Sequence, residues 1–215
     1  MRIAPYVAFG WLLTVSACGG STSAPTTAPS SVVTSLSASV TDAIGDPVIL
    51  PVIRNGVSVL PTVPVPPDLV AATIDVAGGG LTATVSFAPG TLSHTDTFAC
   101  VMLDVDENPS TGGAAAGGDV PLGFDYSVCA VLPRASTSAQ VSRIDGATAS
   151  GVGSVPITFL SQDQVRFTVP LGLLGNDDGR MAFKVTAMQW VDGPVLNTGV
   201  LDWMPDIGRA AGLVR

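Results

Sequence analysis

The chain has 215 residues, a length typical of one folded domain with a short extension. Its formal net charge is −8 and it has no basic cluster, which argues against nucleic-acid binding and against electrostatic docking on anionic lipid. Sixteen of its 17 acidic residues are aspartate, and it has 24 glycines and 17 prolines. Because aspartate prefers turns, caps and metal loops, these proportions favour a loop-rich, all-β protein.

The N-terminus has the features of an export signal. The apolar run from Ala4 to Thr14 follows the positive charge of Arg2 and is too short for a transmembrane helix. The next residues, Val15-Ser16-Ala17-Cys18, resemble the lipobox of bacterial lipoproteins. That resemblance implies removal of residues 1–17, a diacylglycerol on the Cys18 sulfur and usually an acyl chain on the new amino group. The alternative is an ordinary signal peptide followed by an incidental cysteine.

Residues 18–39 are rich in serine, threonine, proline and alanine, so we predict a tether that cannot fold alone. The folded domain is then predicted to span residues 40–215. This organisation predicts a protein that is lipid-anchored in the bacterial cell envelope and faces the periplasm or the cell exterior. The residue after Cys18 is Gly19. An aspartate at this position would resemble the inner-membrane retention signal of some bacteria, so its absence favours the outer membrane.

In the predicted domain, apolar residues alternate over short runs bounded by Gly, Pro, Asp and Ser, a pattern typical of β-strands. Runs at 70–76 and 81–87, separated by three glycines, predict a hairpin. Further strands are predicted at 98–105, 124–132, 139–144, 155–160, 164–169, 181–190 and 200–203, with one helical turn at 170–175. About eight or nine strands predict an antiparallel, jelly-roll-like β-sandwich.

Two cysteines remain if Cys18 carries the lipid. Cys100 and Cys129 are then an even pair in an exported chain, which predicts a disulfide. Two buried thiols or a metal pair are the alternatives. Apart from His94, no histidine or further cysteine lies nearby in sequence, which is too few ligands to complete a zinc site.

Oxygen ligands are concentrated after the predicted strand at 98–105. Asp104, Asp106 and Asn108 alternate along a loop, and Asp125 opens the next strand. Calcium takes six to eight oxygen ligands in flexible geometry, so this spacing predicts a calcium site. The alternative is a turn in which the same side chains accept backbone hydrogen bonds without a cation.

This segment resembles bacterial β-sandwich domains related to family 9 carbohydrate-binding modules and the DOMON-like group. The matching residues are Asp104, Asp106, Asn108, Thr111, Gly112, Gly123, Asp125 and Tyr126. The resemblance implies a jelly-roll-like sandwich and non-catalytic binding of sugars or, in some relatives, haem.

Sugar sites usually stack the ligand on exposed aromatic rings, which makes Trp190, Trp203 and Tyr126 the candidate ligand-binding residues. Packing of both tryptophans in or over the core is the alternative. Haem would need His94, the single histidine, which lies in a polar loop where a histidine is usually only solvated.

The sequence contains no clear sign of catalysis. A Gly-x-Ser-x-Gly elbow is missing, and the aspartates near residue 104 lie in a hydrophilic segment that would keep them ionised. We therefore expect no catalytic residues and a binding module for an extracellular ligand such as a glycan, with a structural calcium. A structural or adhesive surface protein that contacts another protein is the second hypothesis, and a hydrolase is the third.

Overall fold

The structure is a computed structural model that describes residues 35–63, 65–92, 97–113, 122–132, 137–190, 198–206 and 209–215. The predicted signal peptide, Cys18, most of the tether and His94 lie outside the described residues. The side chain of Trp190 also lies outside them, although its backbone is described. All described residues belong to one compact unit, Val33–Arg215.

The described part of the chain is built from β-strands and a single 3₁₀ turn, Leu171–Leu174. The strands are β1 (Leu36–Thr41), β2 (Val48–Ile49), β3 (Val52–Arg54), β4 (Val57–Val59), β5 (Leu69–Ala77), β6 (Gly80–Phe87), β7 (Thr97–Asp104), β8 (Tyr126–Val131), β9 (Ser138–Asp145), β10 (Thr148–Phe159), β11 (Gln164–Pro170), β12 (Met181–Trp190), β13 (Thr198–Met204) and β14 (Gly212–Val214). The predicted all-β antiparallel fold and helical turn are confirmed. The described residues hold no helix long and apolar enough to cross a membrane.

Twelve of the strands form one strongly curled antiparallel sheet. Its order is β1-β5-β6-β11-β10-β9-β8-β7-β12-β13-β2, and β14 pairs with β12. The long strand β10 joins the two halves, because its first part pairs with β9 and its last three residues pair with β11. The curl brings β5 against β12 and β13, which gives a sandwich-like arrangement around one core.

The predicted hairpin at 70–87 is confirmed as β5 and β6, with Val76 opposite Leu81. Alternate residues of β6 are buried, as the period-2 pattern requires. The core between the two halves contains Phe167 and Phe183, both fully buried. Strand β7 is the exception to alternation, because nearly all of its residues are buried and a second small cluster covers its other face.

The structure corrects the predicted end of the tether and the number of strands. Residues 36–39 were predicted to belong to the tether, but they lie in β1 and pair with β5. Leu36, Ala38 and Val40 alternate along β1 and pack against the core, although the serines between them resemble a linker. Fourteen strands are described instead of about eight or nine, because β2, β3, β4 and β14 have only two or three residues each.

The predicted disulfide is confirmed. Cys100 and Cys129 lie directly opposite each other in β7 and β8 and are bonded. The bond therefore links the strand that ends at Asp104 to the strand that follows Asp125.

Candidate functional site

Three of the aspartates that the sequence singled out converge at one edge of the sheet. Asp104 is the last residue of β7, Asp106 follows in the loop, and Asp125 directly precedes β8. Because β7 and β8 are antiparallel neighbours, the end of one lies beside the start of the other. One carboxylate oxygen from each of the three residues lies within 4.8 Å of the other two.

Hydrogen bonds fix the loop around these carboxylates. Asp125 Oδ2 accepts from Val105 N at 3.1 Å. The backbone N–H of Asn108 lies 3.1 Å from Asp104 Oδ1 and 2.9 Å from Asp106 Oδ1, and donates to both. The Asn108 side-chain oxygen, which the sequence predicted as a calcium ligand, accepts from Ser110 N at 3.1 Å. Asn108 therefore shapes the turn through both its backbone and its side chain.

The end of the loop is tied to the segment that leads into β8. Gly113 N donates to Phe124 O at 2.8 Å, and Phe124 N donates to Gly113 O at 3.2 Å. Asp125 N also donates to Leu103 O at 2.9 Å, which extends the β7–β8 ladder by one bond. These bonds hold Asp125 beside the loop that carries Asp106.

The electrostatics of the group favour a counter-charge. Burial, and after it the neighbouring carboxylates of Asp106 and Asp125, raise the pKa of Asp104 to about 6, although the Asn108 N–H lowers it. The pKa of Asp125 is also raised, first by burial and then by Asp106. Asp104 is only 2% exposed, so water screens this repulsion poorly. A hard divalent cation held by carboxylate oxygens would relieve the repulsion.

An open pocket of about 460 Å³ adjoins the three aspartates. Its polar and charged lining consists mainly of Asp106, Asp125, Tyr126, Arg143, Asp145 and Asp177. Hydrogen-bond donors and acceptors thus surround a space large enough for a small polar ligand. Asp104 does not line this pocket and lies behind it.

The three aromatic residues predicted to bind ligand have different surroundings. Tyr126 is 8% exposed and forms part of the pocket wall. Trp203 is 6% exposed and packs in the small cluster with Met102 and Ala182. The backbones of Trp190 and Trp203 lie in paired strands but are not opposite each other, because Trp203 pairs with Thr186. The structure therefore brings Tyr126, and not Trp203, to the aspartate group.

Sequence reasoning missed a second group of neighbouring aspartates. Its members are Asp42, Asp46, Asp68, Asp202 and Asp206. They come from separate segments of the chain, so no local motif marks them. The excess of aspartate over glutamate was the one available signal, and it does not indicate position.

No protein-family model matches the sequence, and no curated protein matches it.

Proposed function

We propose that this chain is a lipid-anchored, extracytoplasmic, non-catalytic binding module that binds a glycan beside a structural calcium ion. The observation that carries the proposal is the convergence of Asp104, Asp106 and Asp125 next to an open polar pocket. Calcium at the three carboxylates would brace the loop at 104–108, and the pocket would hold the ligand.

The spacing of the oxygens suits calcium. Calcium–oxygen bonds are about 2.3–2.6 Å long, so two ligands on opposite sides of the ion are about 5 Å apart. One carboxylate oxygen from each of the three aspartates lies within 4.8 Å of the other two, which is within that span. The group contains only oxygen ligands, and these favour calcium over zinc or copper.

The lining of the pocket suits a ligand rich in hydroxyl groups. Carboxylates accept hydrogen bonds from sugar hydroxyls, and the guanidinium of Arg143 donates to them. The exposed large hydrophobic side chains of the described residues are aliphatic, so recognition would depend on hydrogen bonds more than on ring stacking. Tyr126 contributes one aromatic wall.

Binding is a better proposal than hydrolysis. An acid catalyst needs a raised pKa and access to the ligand. Asp104 has its pKa raised to about 6 by burial, but it is 2% exposed and does not line the pocket. Asp106 and Asp125 line the pocket, and burial raises the pKa of Asp125. Asp125 Oδ2 accepts from Val105 N and Asp106 N, however, and these bonds lower that pKa and tie the carboxylate into the loop.

A structural or adhesive role is the second candidate, and one observation favours it. The segment at 44–60 exposes aliphatic side chains, with Ile44 at 73%, Val57 at 61% and Leu60 at 67% exposed. Exposed apolar side chains concentrated in one segment often contact another protein. On this hypothesis the segment binds a surface protein and the pocket has no ligand.

The first prediction concerns the anchor. In a bacterial host, Cys18→Ser should abolish incorporation of a labelled fatty acid, because the Cys18 sulfur is the proposed attachment point of the lipid. It should also release the chain from the membrane fraction, because two or more acyl chains are needed for stable anchoring. Fractionation and mass spectrometry of the N-terminus measure both effects. Labelling that persists in Cys18→Ser would contradict the anchor, and Cys100→Ser is the matched cysteine control.

The second prediction concerns calcium at the aspartate group. Asp106→Asn in the full chain, purified in detergent, should reduce the number of bound calcium ions by one in isothermal titration calorimetry. Calcium at 100 times its Kd stabilises the native state by about 2.7 kcal/mol per site, so the calcium-dependent rise in Tm should also shrink. Asp145→Asn is the control, because Asp145 lines the same pocket outside the aspartate group.

Glycan binding by the full chain, purified in detergent, distinguishes the binding module from the structural or adhesive protein. With calcium present, a panel of soluble glycans should include a ligand whose binding is weakened at least tenfold by Arg143→Gln. If no glycan binds, the glycan proposal fails and the adhesive hypothesis is favoured. An unchanged calcium count in Asp106→Asn would reject the calcium part.

A further inference from the structure

The second group of aspartates lies where three distant parts of the chain meet. Asp42 follows β1, Asp46 precedes β2 and Asp68 precedes β5. Asp202 is in β13, and Asp206 follows it. Oxygens of Asp42, Asp46 and Asp206 lie within 4.8 Å of one another, as do oxygens of Asp46, Asp68 and Asp202. Asp46 therefore belongs to both triads.

The sheet explains why these residues meet. Strand β2 pairs with β13 through Val48 and Leu201, which places the β1–β2 loop beside Asp202. Strand β5 contacts β13 across the curled sheet, and Leu69 N donates a buried hydrogen bond to Asp202 Oδ2. The start of β5 and the end of β13 are thus both held next to Asp46.

Backbone hydrogen bonds hold one oxygen of several of these carboxylates. Asp42 Oδ1 accepts from Ala43 N at 3.0 Å, and Asp68 Oδ2 accepts from Gly45 N at 2.8 Å. Asp202 is held in the same way by the N–H of Leu69. Asp42 and Asp68 are therefore each positioned through one oxygen, while the other oxygen stays available.

The available oxygens are buried and lack hydrogen bonds. Asp42 Oδ2, Asp46 Oδ1 and Asp68 Oδ1 are inaccessible to water and have no hydrogen-bond partner. Asp68 is only 4% exposed, and Asp202 only 3%. A buried carboxylate oxygen without a partner is destabilising, so buried charges are normally paired or bound to a metal.

Among the described residues, the charged groups that act on Asp42 and Asp202 are other aspartates. Burial, together with the other aspartates of the group, raises the pKa of Asp42 to about 6 and that of Asp202 to about 7, although one backbone hydrogen bond lowers each. Arg209 lines the adjoining pocket, but its side chain is exposed. One exposed guanidinium cannot neutralise five carboxylates.

We propose that Asp42, Asp46, Asp68, Asp202 and Asp206 form a second calcium site, separate from the group at Asp104, with Asp46 as its shared ligand. The ligands are all carboxylate oxygens, which calcium prefers and which zinc and copper sites seldom use alone. Calcium here links the β1–β2 loop, the start of β5 and the end of β13, three segments that no described disulfide connects.

The test is a calcium titration of the full chain, purified in detergent and stripped with a chelator. The wild type should bind calcium at two groups. Asp46→Asn should weaken binding at the second group at least tenfold and leave the Asp104 group intact, whereas Asp106→Asn should do the reverse. Asp75→Asn is the matched control, because Asp75 is an exposed aspartate that accepts a hydrogen bond from Ser37 Oγ outside both groups.

The outcomes separate this site from the proposed function. If Asp106→Asn binds calcium like the wild type and Asp46→Asn binds less, the second site is supported and the calcium site of the proposed function is rejected. Wild-type calcium binding in Asp46→Asn overturns the second site. In chelator, Asp46→Asn should melt no lower than the wild type, because it removes one charge from a repelling group. A large loss of Tm without calcium would show a purely structural role and would also overturn the proposal.

Discussion

Gly123→Ala is expected to destabilise the protein by about 2–5 kcal/mol and to weaken calcium binding at the Asp104 group. Gly123 has a φ of +67°, a conformation that strains any residue with a Cβ. A Cβ at this position would also collide with the carbonyl oxygen of Asn108 and lie 2.6 Å from Pro109 Cα. These are backbone atoms of the aspartate loop, so the loop must move away from Asp125.

Gly78→Ala is the matched control for this prediction. Gly78 has a similar φ of +58°, but a Cβ there would meet nothing within 4 Å. The free energy of unfolding of the control should fall only by the cost of a positive φ in a residue with a Cβ, about 1–2 kcal/mol. The control should bind calcium normally. Urea unfolding in chelator measures both variants. Equal losses would mean that the contact between Gly123 and the loop contributes nothing to stability.

The strands with clear alternation were predictable from sequence. In β5 and β6 the buried side is set by residues such as Ile74 and Val85, and three glycines mark the turn between them. Strand β7 was identified by its continuous apolar run, because both of its faces are covered. Strand β1 was missed because its inward residues alternate with serines in a segment that has the composition of a linker.

The two aspartate groups show why one candidate site was predictable and the other was not. Asp104 and Asp106 are close in sequence, and Asp125 lies at the start of the neighbouring strand, so a local pattern suggested the group. Asp46 and Asp202 meet only because β2 pairs with β13 and the sheet curls. Such a meeting depends on tertiary pairing, and the spacing of residues along the chain does not encode it.

Removing the disulfide should destabilise the protein by about 3–4 kcal/mol, the chain-entropy estimate for a loop of this size. The sequence separation of Cys100 and Cys129 is 29 residues, so the bond restricts a long segment of the unfolded chain. The variant to test is Cys100→Ala combined with Cys129→Ala. Its Tm should fall by roughly 6–16 °C for a domain of this length.

Calcium binding at the Asp104 group should survive this change. Asp125 N still donates to Leu103 O, and the β7–β8 register still places Leu103 opposite Tyr126. The disulfide therefore adds stability to a site that the strand pairing already positions. Reduced wild-type protein is the control and should unfold at the same urea concentration as the double variant. Unfolding of the variant at the concentration of the oxidised wild type would contradict the prediction.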